Sequence, residues 1–474
     1  MPAPLTTRAQ VNGYRYLLRR YDHALIRWDA RMLHDPMRAQ FRSLVIGAVL
    51  SIMIVAGAAI LALIHPQPTM GNAKIVMGKD SGQLFVVVNG VLHPALNLAS
   101  ARLIAQSDET PTALADARLT EPRGPVMGIP GAPAALLGSA SGGRSQWSVC
   151  DAISAATGNV VSTVIDGPLR TTSAGRARPL GADESVLVTR DDHTYLLFDG
   201  KRAELDPSDP TLARVMSLSF HSARPVGAGL LNSATPVPAL VPPTIQGLGG
   251  PGPGRLASVP VGAVIRVQDV DSDGLYVVLN DGVQKVSPFA AEVIRTANSE
   301  GMGEIPMVTP DRLRGIPVVD KLATDQFPDR VPTILDAQDD PVTCLSWAKN
   351  TGDPAATTSL LAGNALPLTS TAEPVTMAST GDHADAAYVP PGTGEYVQAT
   401  DIAPTSVARG PLFYITDAGV RYGVPDVRTA AVLGLGSTPR PAPWQIVGRL
   451  VAGPMLSQAA ALNSYDTLPS APAR

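Results

Sequence analysis

Only two cysteines, Cys150 and Cys344, occur in 474 residues. That scarcity excludes a disulfide-rich scaffold, and two thiolates alone cannot complete a zinc cluster. The seven histidines are scattered, and none stands in an H-E-x-x-H spacing or beside a G-x-S-x-G nucleophile elbow. His193, after Asp191 and Asp192, and His383, shortly before Asp385, read as surface polar residues. No Walker A loop is present: Gly78-Lys79-Asp80 and Gly200-Lys201-Arg202 lack the spaced glycine and the following Ser or Thr that hold phosphate and magnesium. Gly247 to Gly252 matches the letter of G-x-G-x-x-G, but Pro251 and Pro253 forbid the helix that such a loop must open. No catalytic constellation emerges.

Charge is also sparse, at 16% Asp, Glu, Lys and Arg against about 25% in average proteins. What takes its place is glycine (43) and proline (44), so turns should be plentiful and helices few. Hydrophobic residues still reach 45% with a net charge of only −4, enough apolar surface to build a core. A chain of this length is expected to be modular.

The small net charge conceals a split. Residues 1–42 hold eight arginines against Asp22, Asp29 and Asp35, so the remainder is more acidic than the total. An acidic body lacks the cationic surface that nucleic acid requires. Leu44 to Ile64 is uncharged and long enough, at 1.5 Å per residue, to cross roughly 30 Å of hydrocarbon. A cleaved signal peptide would have a shorter apolar core behind a shorter lead. With the arginines before the span, the positive-inside rule puts the N-terminus in the cytoplasm and residues 65–474 outside. Both cysteines then fall where a disulfide can persist; a bridge would close a loop of 194 residues, worth about 5 kcal/mol in the chain-entropy model. Two separate buried thiols are the other reading.

In the head, Val11, Tyr14, Leu18, Tyr21, Leu25, Trp28 and Met32 recur at intervals of three and four, one stripe of a helix that Pro36 should end. The arginines occupy the other faces. A partner helix is the expected cover for this stripe, with anionic lipid as the alternative.

In the body, a short pattern recurs four times: LFVVVNG around Phe85, TYLLFDG around Tyr195, LYVVLNDG around Tyr276 and LFYITDAG around Phe413. Each predicts a strand entering a tight turn, and each is followed by a second apolar run and a helical stretch. A hairpin with one helix is too small to stand alone, so the four units should dock on one another. The spacing from Phe85 to Tyr276 nearly equals that from Cys150 to Cys344, which suggests duplicated halves; Tyr195 to Phe413 is longer by about 25 residues. The order of Trp147-Ser-Val-Cys150 is reversed in Cys344-Leu-Ser-Trp347, so the halves are not residue-by-residue copies. The expectation is a single-pass membrane protein with an α+β outer domain of four hairpin/helix repeats around a disulfide-tied centre, elongated and pseudo-twofold. Its segments are a basic helix (1–42), the span (43–65), an outer half with two repeats (70–232), a Pro/Gly linker or surface-wrapping loop (233–256) and a second outer half (257–474). Asp269, Asp271 and Asp273 match the first half of a calcium loop, but Asn280 replaces the bidentate Glu at its twelfth position, so a solvated acidic loop is the default.

TTRAQVNGYRYLLRR at Thr6–Arg20, HPALNLASARLI at His93–Ile104, GIPGAP at Gly128–Pro133, WSVCD at Trp147–Asp151, DGVQKV at Asp281–Val286, GVRYGVPD at Gly419–Asp426 and LSQAAALNSYDTLP at Leu456–Pro469 stand in this order. Together they resemble the EccB family, a core membrane component of the actinobacterial type VII (ESX) secretion system. The resemblance implies an outer domain of four repeats with one disulfide that dimerises, and a cytoplasmic helix that docks in a complex with the motor ATPase EccC, with EccD and EccE, and with a mycosin protease nearby. It implies no cofactor other than ATP, through an ATPase label that the family carries. A likeness of the repeats to a phage-lysin wall-binding module further implies peptidoglycan contact.

Overall fold

The computed structural model describes residues 7–31, 36–64, 70–139, 142–154, 157–172, 175–268, 273–378 and 381–467. It divides into two compact units, residues 1–71 and 72–474.

The first unit holds two helices. Arg8–Arg27 starts at a capping box: Thr7 Oγ1 accepts from the Gln10 amide, and Gln10 Oε1 accepts from the Thr7 amide at 2.9 Å. It ends earlier than the apolar spacing suggested. Trp28 turns left-handed (φ 55°), and Asp29 Oδ1 then accepts from the Arg31 amide, a local bond that competes with helical continuation. Met32 lies outside the described residues. Pro36 opens the second helix, Pro36–Ile64, instead of breaking the first; the first turn has no use for its missing N–H. Gln40–Leu63, with mean hydropathy 2.8, is long and apolar enough to cross a membrane.

The second unit is rich in β-structure. Four of its sheets share one connectivity: three antiparallel strands in sequence, a helix, and a fourth strand that returns parallel to the first. They begin with Ile75–Gly78, Glu184–Arg190, Val264–Gln268 and Gly394–Thr400. Each is therefore larger than the hairpin plus helix expected, because the entering and returning strands carry no turn signal of their own. The turns are where the sequence put them: Asn89-Gly90 and Asp199-Gly200 take positive φ at both positions, the backbone of a type I′ hairpin. The four following helices are capped by Asn97, Asp209, Ser287 and Asp426, whose side chains accept from amides of the first turn.

The second and fourth sheets are alike in more detail. In each, a short helix (Ala228–Ser233, Trp444–Val447) leads to a fifth strand parallel to the third. In the second sheet this strand is Thr235–Leu240, so the expected linker at 233–256 begins as sheet. The segment continues packed on the third sheet, where the Gly249 and Gly252 amides donate to the Val261 and Val259 carbonyls and Leu256 is buried.

The small sheets pair through common cores. Val86 and Leu103 of the first join Tyr414 and Val424 of the fourth, while Leu196 and Phe198 of the second join Val277 and Phe289 of the third. Between the pairs runs a seven-stranded sheet whose middle is Val160–Asp166, Arg144–Ile153, Val342–Asn350 and Thr357–Gly363, one hairpin from each half of the sequence.

Candidate functional site

The two hairpins meet at Arg144–Ile153 and Val342–Asn350, antiparallel, with Cys150 opposite Cys344 and Trp147 opposite Trp347. The cysteines form a disulfide with a Cα–Cα distance of 4.0 Å, fully buried. Each tryptophan lies three positions from its cysteine, an odd offset, so strand alternation sends them to opposite faces. The disulfide lies among Ile165, Leu361 and Leu368, whereas the tryptophans lie among Leu230, Leu231, Ile446 and Val447 of the two short helices.

Buried polar groups fasten this joint to its neighbours. Arg224, only 3% exposed, donates to the Leu335 carbonyl at 2.7 Å, to the Asp340 carbonyl at 2.5 Å and to Thr343 Oγ1 at 3.0 Å. Burial lowers its pKa, with Asp340 and Asp336 opposing that shift. Asp151 Oδ2 accepts from the Gly227 amide at 2.7 Å, and burial pushes its carboxyl up to about 6. Asp166 is raised well above the usual range by burial and by Glu395. Glu395 itself pairs with Arg440 at 3.1 Å and accepts a hydrogen bond from Ser139. Ser145 Oγ accepts from the Trp147 indole N–H at 3.2 Å and donates to the Pro441 carbonyl at 2.7 Å. Sequence reasoning singled out none of these carboxylates or Arg224; each is a charged residue inside or beside an apolar strand.

The N-terminal helix has the opposite character. Val11, Tyr14, Leu18, Tyr21, Leu25 and Trp28 are all exposed, Trp28 to 95%, and Tyr16, Leu17 and Ile26 widen the apolar surface beyond the predicted stripe. Of the repeat-strand residues, Phe85 and Phe413 are buried, while Tyr195 and Tyr276 pack partly buried against cores.

Gly78 ends a strand, and Gly200-Lys201 forms a hairpin turn and strand start; neither pair precedes a helix N-terminus. His193 Nδ1 lies 2.7 Å from Glu204 on the surface. Asp269 and Asp271 lie outside the described residues, and Asp273 opens the strand Asp273–Leu279. Among the described residues no three His, Cys, Asp or Glu side chains are grouped to hold a metal.

The family model for the type VII secretion system ESX-1 transport TM domain B, EccB, matches residues 3–470. The chain belongs to the EccB family. Its EccB relatives include the ESX-3 secretion system ATPase EccB3 of Mycolicibacterium smegmatis, 37% identical over 98% of this chain and 92% of the relative. The ESX-1 secretion system ATPase EccB1 of Mycobacterium tuberculosis is 35% identical over 99% of this chain and 96% of its own. Among solved structures, a chain of an intact ESX-5 inner membrane complex superposes with TM-score 0.75 at 32% identity, covering 100% of this chain and 99% of that one. A structure of the EccB3 dimer from the ESX-3 core complex superposes with TM-score 0.72 at 34% identity, covering 82% of this chain and all of that one.

Proposed function

We propose that this EccB-family chain is a structural subunit of an ESX type VII secretion complex in the inner membrane, anchored by Gln40–Leu63 and self-associating through its outer domain. The observation that carries this reading is the match along nearly the whole chain to EccB, whose solved relatives sit in an ESX inner membrane complex and form a dimer. The exposed apolar helix Arg8–Arg27 is the docking element for partners in the cytoplasm, where EccC, EccD and EccE are the candidates. The four sheets of common connectivity are repeats of one unit, and the 70–232 and 257–474 halves are related by a pseudo-twofold at the disulfide-tied joint.

ATP hydrolysis is the second reading, favoured by the word ATPase in the relatives' names. A scaffold does not require it, and phosphate cradling at either Gly-Lys pair would need a helix N-terminus that is not there.

The test is native isolation of the tagged full-length chain in mild detergent from cells that express the other subunits, with mass and identification of what accompanies it. A large assembly containing a motor ATPase is the expected result. A lone monomer or simple dimer would overturn the assembly role. ATP turnover by the purified chain, above a mock preparation, would establish the second reading.

A further inference from the structure

The fourth sheet differs from the other three at one connection. Its first two strands, Gly394–Thr400 and Leu412–Thr416, are joined by residues 401–411, whereas residues 79–83, 191–192 and 269–272 make the equivalent connections. The long loop is held in place: the Ala356 amide donates to the Pro404 carbonyl and the Gly410 amide to the Ala399 carbonyl. It walls a cleft of about 600 Å³ against the Trp347 end of the central sheet and the returning strand Arg440–Pro443. That volume is in the range of about 300–1,000 Å³ typical of ligand sites.

A pair of cations and an apolar annex point to one kind of occupant. Trp347 lines it at 1% exposure, and its indole Nε1 has no hydrogen-bond partner among the described residues. Trp147, its strand partner, donates its indole N–H to Ser145; the residue opposite Ser145 is Lys349, whose ammonium cannot accept a hydrogen bond and which lines the cleft instead. Lys349 and Arg409 also line the cleft, and among the described residues neither makes an ion pair. The one carboxylate there, Asp401, already accepts through Oδ1 from the Ile402 amide and Gln445 Nε2, both at 2.6 Å. With Asp401, the charged lining sums to one net positive charge. Beside the cleft, and sharing Ala399, Thr400 and Ala408 with it, lies an apolar pocket of about 240 Å³ bounded by Pro411 and by Trp444, which is 45% exposed. Trp444 is held there by stacking on Phe413 (5.6 Å) and by the Arg421 guanidinium over both rings.

We propose that the cleft between residues 401–411 and Trp347 binds an extended peptide segment of a partner protein, with an acidic side chain at Lys349 and Arg409 and a neighbouring apolar side chain at Trp444. The carboxylate supplies the countercharge, the adjoining pocket takes the apolar group, and Trp347 at the cleft wall senses the occupant. A small carboxylate would fill only the first compartment. This goes beyond the assembly role and does not depend on it.

The experiment labels the full-length chain in nanodiscs with 5-fluorotryptophan and assigns the resonance of Trp347 by Trp347→Phe. The chain is titrated with the blocked peptide acetyl-Gly-Glu-Glu-Leu-Phe-Gly-amide, its Gln-Gln analogue, and glutarate. The expected result is a saturable shift of the Trp347 resonance with the glutamate peptide, at least tenfold weaker binding of the glutamine peptide and of glutarate, and at least a tenfold loss in Lys349→Ala/Arg409→Ala. Four dispersed fluorine resonances in that variant verify that it is folded. Absence of a saturable shift, equal binding of the glutamine peptide, or unchanged binding by the double variant would overturn the proposal. Glutarate binding as tightly as the peptide would replace the peptide with a small carboxylate.

Discussion

Trp147 stands opposite Trp347 across an antiparallel strand pair, three residues from the Cys150–Cys344 disulfide and on the other face of the sheet. The mirrored order of WSVC and CLSW is what sets Trp against Trp and Cys against Cys across an antiparallel pair; two strands of the same order would set Trp against Cys. Like side chains meet because the strands run in opposite directions.

The disulfide closes a 194-residue loop, so Cys150→Ser/Cys344→Ser should lower the unfolding free energy of the outer domain by about 5 kcal/mol in the chain-entropy model. Urea unfolding followed by tryptophan fluorescence measures this. A variant with an unchanged midpoint and slope would remove the bridge from the stability of the joint.

Asp151 should impose a pH dependence of definite sign. Its folded-state carboxyl is raised to about 6 by burial, above its unfolded value, so the native state holds the proton more tightly. The stability tied to this proton is fully present below about pH 4, is lost as pH climbs to about 6, and stays lost above that. Asp151→Asn should therefore match the parent near pH 4 and exceed it at pH 7 by on the order of 2–3 kcal/mol. Denaturation curves for both chains across that range decide it; a constant offset between the two would contradict the assignment.

Gly252 separates a packed segment from a loose linker. A Cβ there would lie 2.6 Å from the Val259 carbonyl oxygen and 2.7 Å from that of Leu256, both backbone atoms that cannot swing aside. Gly252→Ala should destabilise the outer domain by about 1–3 kcal/mol. Gly303→Ala, where nothing lies within 4 Å, should stay within about 0.5 kcal/mol of the parent. Equal thermal midpoints for the two variants would return residues 233–256 to the status of a linker.

Leu18→Asp/Leu25→Asp places two charges on the exposed apolar face of the N-terminal helix. Recovery of partner chains with the tagged protein should fall more than tenfold, while the urea midpoint of the outer domain is unchanged. Undiminished recovery would take the docking role away from this helix.

What was legible in the sequence is what is local. The span is a continuous apolar run, and the Asn-Gly and Asp-Gly turns are set by two residues that tolerate positive φ. The capped helices after each turn follow from Asn97, Asp209, Ser287 and Asp426. The end of the first helix was missed because apolar spacing continues past Trp28 while the backbone reverses there, and the returning strands were missed because some hold only two residues, such as Met307–Val308.

Composition and next-neighbour sterics dictate one membrane-length apolar run, two cysteines on one side of it, and four turn-centred β segments. Tertiary contacts set which sheets share a core, leave the Trp347 indole N–H without a partner among the described residues while that of Trp147 bonds Ser145, and bury Asp151 and Arg224 at the joint. Those outcomes depend on strand register across nearly 200 residues, and register is fixed by the fit of whole faces, which no local segment encodes.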